Sequence, residues 1–191
     1  MGRKDRFEAV LPAARAGAEW ALSALYRDLH PSLLRYLRAQ EPREAEDLAS
    51  EVWVDVARNL GRFEGGEQDL RRWLFTIARR RLIDFRRRQA RHPMILLPAE
   101  ELPEEASASD VALEAIETLT ARVAIERIVS VLSPDQAEVV LLRLVGGLST
   151  GEIGSIMGKK AGTVRVLQHR ALERLAREFA PAVTGRSGGA I

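Results

Sequence analysis

Residues 93–120 divide this chain. The stretch carries Pro93, Pro98 and Pro103 and seven carboxylates (Glu100, Glu101, Glu104, Glu105, Asp110, Glu114 and Glu117), with no Lys or Arg. Prolines remove helix donors and like charges repel, so at least as far as Ser109 it reads as a tether. Its later part, Val111 to Leu119, has the composition of a helix leading into the C-terminal part of the chain. Folding must therefore occur on either side. The expected organisation is an N-terminal extension at 1–17, a first domain at 18–92, a linker at 93–121, a second domain at 122–180 and a disordered Gly- and Ser-rich tail at 181–191.

Both domains are expected to be all-α, because apolar residues recur at helical spacing and nowhere alternate as in a strand. Trp20, Leu22, Leu25, Tyr26, Leu29, Leu33, Leu34 and Leu37 mark one or two helices, with Pro31 placed to bend or break the run. Leu48, Val52, Val56 and Leu60 form an i, i+4 stripe that ends at Gly61, and Gly65-Gly66 marks a loop. In the second domain, Ser133-Pro134-Asp135-Gln136 and Ser149-Thr150-Gly151-Glu152 are capping boxes, each opening a helix.

Two segments point to chemistry. Between Leu70 and Arg91 stand nine arginines, at 71, 72, 79, 80, 81, 86, 87, 88 and 91, against Asp84 alone. A stripe of Leu70, Trp73, Leu74, Ile77, Ala78, Leu82 and Phe85 packs one side, leaving the other densely positive. Such a face suits a nuclear-type signal, a membrane surface or phosphates. The shortage of acids argues against a merely solvated face, and the arginines are expected to contact a nucleic-acid backbone. Trp73 and Phe85 sit at core spacing, although flat rings near Arg62 and Phe63 also suit unstacked bases.

The other segment is a helix-turn-helix. Counted from Thr150, small or apolar residues fall at the contact positions Ile153, Gly154, Met157, Val164 and Leu167, with Gly158 at the turn. Lys159 is the exception, standing where an apolar residue is commoner. With Val164, Leu167, Ala171 and Leu175 turned inward, the second helix presents Arg165, Val166, His169 and Arg170, beside Thr163 and the turn lysines Lys159 and Lys160. Arginine suits guanine edges or phosphate and Val166 a thymine methyl. A structural hairpin with a solvated basic face is the plainer alternative.

Other classes are poorly served. The chain has no cysteine, which excludes disulfides, thiolate nucleophiles and Cys-based zinc sites. His30, His92 and His169 have no ligand spacing, so neither metal, cofactor nor catalysis is expected. A formal charge of +2 decides little. No apolar run is long enough to span a membrane, and the first residues lead into no signal core, so no membrane contact and a cytoplasmic location are expected.

Several motifs, in order and at fitting spacing, resemble the bacterial extracytoplasmic-function sigma factors of RNA polymerase. Ala45-Glu46-Asp47-Leu48 through Trp53 is similar to the polymerase-binding start of that family's region 2. Arg72-Trp73-Leu74 through Arg79, with Leu82-Ile83-Asp84 and Arg86-Arg87-Arg88, resembles its promoter-melting segment. Leu132-Ser133-Pro134, Gly147-Leu148-Ser149, Glu152-Ile153 and Gly162-Thr163-Val164-Arg165 through Ala171 resemble region 4. The resemblance implies a non-catalytic subunit that binds core polymerase through Glu46, Asp47, Glu51, Trp53 and Asp55. It implies capture of a flipped minus-10 base by Asn59, Arg62, Phe63 and the loop to Gln68, with Arg72, Arg79, Arg80, Arg87 and Arg88 holding the strands. Lys159, Lys160, Thr163, Arg165, Val166, His169 and Arg170 would read the minus-35 duplex, and an anti-sigma protein is a further implied partner. Two positions depart from the family pattern: Arg80 replaces a common Asn, and Val166-Leu167 a common Ser-Arg. A stand-alone helix-turn-helix regulator is the alternative.

Overall fold

The computed structural model describes residues 3–91 and 123–179. The acidic linker and the Gly- and Ser-rich tail lie outside the described residues, as does His92. Among the described residues every regular element is helical.

The first unit is built on α2 (Glu19–Arg38), α3 (Ala45–Asn59) and α4 (Glu67–Arg91), with a 3-10 turn at Leu60–Arg62. Of the one or two helices expected around Pro31, there is one. α2 runs through the proline because Leu25 and Leu29 before it and Leu33, Tyr36 and Leu37 after it share one buried face. At about 1.5–3 kcal/mol for each large side chain buried, that stripe outweighs a lost backbone hydrogen bond. Leu48, Val52 and Val56 of α3 and Leu70, Leu74, Phe75, Ala78 and Leu82 of α4 complete the core. Tyr36 meets Phe75 edge to face at 5.4 Å.

Residues 3–15 form a further helix, α1 (Arg3–Arg15), which packs on α2 and on the 3-10 turn. Phe7, Val10, Leu11 and Ala14 are buried there. This segment shares the core of the first unit.

The second unit comprises α5, helical over 123–130, α6 (Pro134–Leu144), α7 (Thr150–Met157) and α8 (Ala161–Phe179). The Ser133 amide donates to Gln136 Oε1 at 3.1 Å, and that of Ser149 to Glu152 Oε2 at 2.7 Å. Both capping boxes therefore open helices, as their spacing predicts. α7 ends at Gly158 in the left-handed conformation, and α8 folds back over it with Val164 and Ala171 fully buried. Gly154 is small for a local reason: a Cβ there would lie 2.7 Å from the backbone oxygen of Lys159. Lys159 in turn reaches Asp135 Oδ2 at 3.0 Å, which explains a charge at a position where apolar residues are commoner.

The units touch where α7 lies against α4. Glu138 of α6 accepts from Arg79 Nε at 2.8 Å and from the fully buried Tyr36 hydroxyl at 3.3 Å. Gln68 Nε2 donates to Gly147 O and Glu152 Oε2, at 3.3 and 3.2 Å.

Two measurements check this packing. Gly154→Ala should destabilise the second unit by about 1–3 kcal/mol in urea denaturation, because the obstacle is backbone and cannot rotate away. Burial alone would raise the Glu152 pKa, but hydrogen bonds from Ser149 and Gln68, with the nearby Arg72, outweigh it and hold the carboxyl below its ordinary value. Its contribution is therefore complete above the ordinary carboxylate range and is lost as pH falls through the depressed value. The melting temperatures of wild type and Glu152→Ala should converge on acidification below that range.

Candidate nucleic-acid interface

Consecutive residues on a helix diverge by about 100°, so adjacent arginines of α4 meet different surroundings. Arg81 faces α3, where Nε and Nη2 hold Asp55 Oδ2 at 2.8 and 2.5 Å and Nη1 reaches Glu51 at 3.3 Å. The Asp55 bond, foremost among opposing influences, raises its already high pKa. Arg86 closes on Glu41 at 2.6 Å and Arg71 on Glu67 at 3.5 Å. These three arginines fasten α4 to its own unit or its own first turn.

Of the α4 arginines paired with a carboxylate, Arg80, Arg87 and Arg88 are the freest. Side-chain exposure is 66% for Arg80, 68% for Arg87 and 59% for Arg88, and their carboxylate neighbours stand 3.5–3.9 Å away. Arg72 is 44% exposed and paired with Asp69 at 3.0 Å. Arg79 is only 24% exposed, being held by Glu138 and by the Ile156 carbonyl at 3.4 Å.

Beside Arg80 a concavity of about 460 Å³ is lined by Asp55, Asn59, Arg62, Phe63, Glu64, Trp73, Ile77 and Arg80. Phe63 and Trp73 stack at 5.1 Å along it. Trp73 thus combines core and cavity roles: half-buried against the core, it also lines the cavity. Apolar rings beside donors and acceptors are what an extruded base requires.

The five residues assigned to polymerase binding do not form one outward patch. Glu46 and Asp47 are exposed at the start of α3, Glu46 taking Arg38 at 2.5 Å. Glu51 and Asp55 turn toward the arginines of α4. Trp53 leans on α2: its indole donates to His30 Nδ1 at 3.2 Å, and Tyr26 lies 5.0 Å from its ring and stacks on His30 at 4.4 Å. Burial, opposed by Glu46 and aided by Arg38, lowers the His30 pKa and so favours the neutral acceptor this bond needs. In the sequence the local signal for this trio is Tyr26 and His30 at i, i+4.

On the second unit, Lys160, Thr163, Arg165, Val166, His169 and Arg170 are exposed along the N-terminal half of α8 and the turn before it. His169 lies 3.3 Å from Glu173. Lys159 stands apart, turned onto Asp135. Glu138 and Gln68, which join the units, carried no signal in the sequence, since each partner lies more than fifty residues away.

The chain matches the family model of Sigma-70 region 2 over residues 25–92 and that of Sigma-70 region 4 over 122–175. It is similar to ECF RNA polymerase sigma factor SigD of Mycobacterium tuberculosis, 33% identical over 188 residues that cover 93% of this chain and 86% of that protein. It is also similar to ECF RNA polymerase sigma factor BldN of Streptomyces coelicolor, 34% identical over 178 residues, covering 90% of this chain and 65% of that longer protein. Among solved structures, the sigma factor RpoE of Bartonella quintana, in complex with the anti-sigma factor NepR, aligns with a TM-score of 0.54 at 23% identity, over 91% of this chain and 94% of that one.

Because Arg79 is committed to Glu138, its release should be measurable. Glu138→Ala should tighten binding of single-stranded DNA to the free chain by about fivefold, corresponding to roughly 1 kcal/mol of coupling. The gain should vanish in Arg79→Ala/Glu138→Ala, with fluorescence anisotropy as the assay.

Proposed function

The chain belongs to the extracytoplasmic-function sigma factors of the sigma-70 family, and we propose that its two units divide promoter recognition between melted and duplex DNA. As a sigma factor it joins core RNA polymerase and directs initiation at promoters. In our reading the first unit opens and reads the minus-10 element, and the second reads the minus-35 element. One observation carries this division: the chain has two polar surfaces of different kinds. One is an aromatic-walled cavity beside exposed arginines, and the other is a convex helix with an exposed polar ridge.

A base leaving the stack costs a few kcal/mol. Contact with the ring pair Phe63 and Trp73, worth about 1–3 kcal/mol per base, offsets much of that cost. Asn59, Arg62 and Arg80 supply polar contacts at the rim. Arg72, Arg87 and Arg88, joined by Arg79 once Glu138 releases it, neutralise phosphates and release counterions. On α8, Arg165 and Arg170 are placed for guanine edges or phosphate, and Val166 for a thymine methyl. Lys160 and Thr163 set the helix on the backbone. Glu46 and Asp47 are the best-placed members of the polymerase-facing set. The bond-making chemistry of transcription belongs to polymerase, and this chain contributes binding and strand separation.

We infer a cytoplasmic location, where polymerase and promoters are. No helix among the described residues is long and apolar enough to cross a membrane. We also infer control by an anti-sigma protein, by analogy with RpoE and NepR. The region 2 match disfavours a stand-alone helix-turn-helix regulator.

The test is transcription in vitro with mapped start sites. Purified chain should direct specific initiation only with core polymerase, and absence of initiation from any cognate promoter would sink the reading. Arg165→Ala should weaken minus-35 recognition by about 1–3 kcal/mol and relax one base position if it reads a guanine edge. Arg170→Ala, if it holds phosphate, should instead weaken all sequences alike and lower the salt slope by about one.

A further inference from the structure

Arg15, the last residue of α1, belongs to none of the recognition motifs, yet it reaches the wall of the cavity. Its Nη2 donates to the carbonyl of Gly65 at 2.9 Å, and its guanidinium carbon lies 5.5 Å from the centre of the Phe63 ring. Phe63 is in turn stacked on Trp73. A planar cation against one face of an aromatic ring, with a hydrogen bond to the next turn of chain, limits both the ring's tilt and the loop's path. Arg15 Nε is buried and has no hydrogen-bond partner among the described residues. The guanidinium therefore sits where the loop and the ring need it, at the expense of its own hydrogen bonding.

The loop is constrained from its far side as well. Asp69 Oδ2 accepts from the Gly66 amide at 3.1 Å and opens α4. Gly65 has φ +129°, and a Cβ there would lie 2.7 Å from that of Asp69, so only glycine fits this path. A third restraint, Gln68 on Gly147 and Glu152, comes from the second unit and lasts only while the units are together. Once the second unit leaves, Arg15 and Asp69 remain to shape residues 63–69.

We propose that Arg15 is a positioning residue for base capture: from α1 it holds Phe63 and Gly65 in the geometry that lets the cavity discriminate the extruded base. The inference rests on the proposed role of that cavity in base capture. It makes α1 part of the promoter-reading apparatus, acting through Phe63 and not by touching DNA.

The experiment has two readouts on the full chain. The first is amide hydrogen exchange of the free protein, which needs no polymerase. Arg15→Ala should speed exchange across residues 63–69 severalfold and leave the core stretches of α3 and α4 unchanged. Arg15→Lys, which keeps the charge and can reach the carbonyl without covering the ring, should fall between. It also serves as the test variant if Arg15→Ala fails to fold. The second is transcription with core polymerase from promoters varied at the captured base. Discrimination among bases should fall on the order of tenfold, short of the hundredfold that a 1 Å misplacement can cost at a reacting centre. Affinity for core polymerase should be unchanged, and templates carrying a pre-opened bubble should be transcribed at nearly the wild-type rate. Unchanged exchange in the loop overturns the proposal, and so does unchanged base preference. Failure of the wild-type chain to initiate would overturn the reading of the cavity, and with it the base-selecting role, while exchange would still decide whether Arg15 holds the loop.

Discussion

The structure depends on how α4 divides its guanidinium groups. A helix carrying nine arginines is self-repelling, and it can pack only if some of that charge is answered at close range. Arg81 provides the answer by closing on Asp55 and Glu51 of α3, in a position where Asp55 is only 13% exposed. The pair is only partly buried, with Arg81 27% exposed, and Arg80 shares Asp55 at 3.5 Å, so its contribution to stability is modest and its main effect is on geometry. The pairing also sets the rotation of α4 about its axis. With Arg81 turned inward and Leu74, Phe75, Ala78 and Leu82 in the core, Arg80, Arg87 and Arg88 are left outside. The positive surface is thus a consequence of packing as much as of composition.

This division accounts for what was and was not legible in the sequence. The helices of both units were readable because burial imposes a 3.6-residue period, and the caps at Ser133 and Ser149 were readable because their partners lie three residues away. The helix-turn-helix was legible for the same reason, each of its constraints being local. The ion pairs were not. Nothing in a list of arginines separates Arg81, which serves the fold, from Arg80 beside it, and nothing around Asp55 reveals that its partner lies 26 residues away. Of the carboxylates grouped by resemblance as one polymerase-facing set, Asp47, Glu51 and Asp55 follow one another at i, i+4 along α3, and only Glu51 and Asp55 are taken up by the arginines of α4.

Pro31 and Arg15 illustrate opposite difficulties. A proline is a strong local signal, and at position 31 the long buried stripe of α2 overrides it. Arg15 has almost no local signal, being one arginine near the end of a segment read as an extension. Its meaning comes from a carbonyl fifty residues away. Long-range contacts to backbone atoms are hard to read from sequence, because the partner atom is the same in every residue type.

The contact between the units carries the mechanical argument furthest. Glu138 gathers Arg79 and the buried Tyr36 hydroxyl, whose pKa is raised chiefly by that burial. Arg79 cannot give the same donors to a carboxylate and to a phosphate. A DNA strand that takes Arg79 must therefore displace Glu138, which favours separation of α6 from α4. The free energy of that separation must come from whatever binds the separated form better: polymerase, duplex at the second unit, or melted strand at the first. The contact is polar and mixed in burial: Tyr36 is fully buried, while Arg79 and Glu138 keep 24% and 12% of their side chains exposed. It occupies Arg79 in the free chain while Arg80, Arg87 and Arg88 stay exposed, so a strand can engage those three before it competes for Arg79.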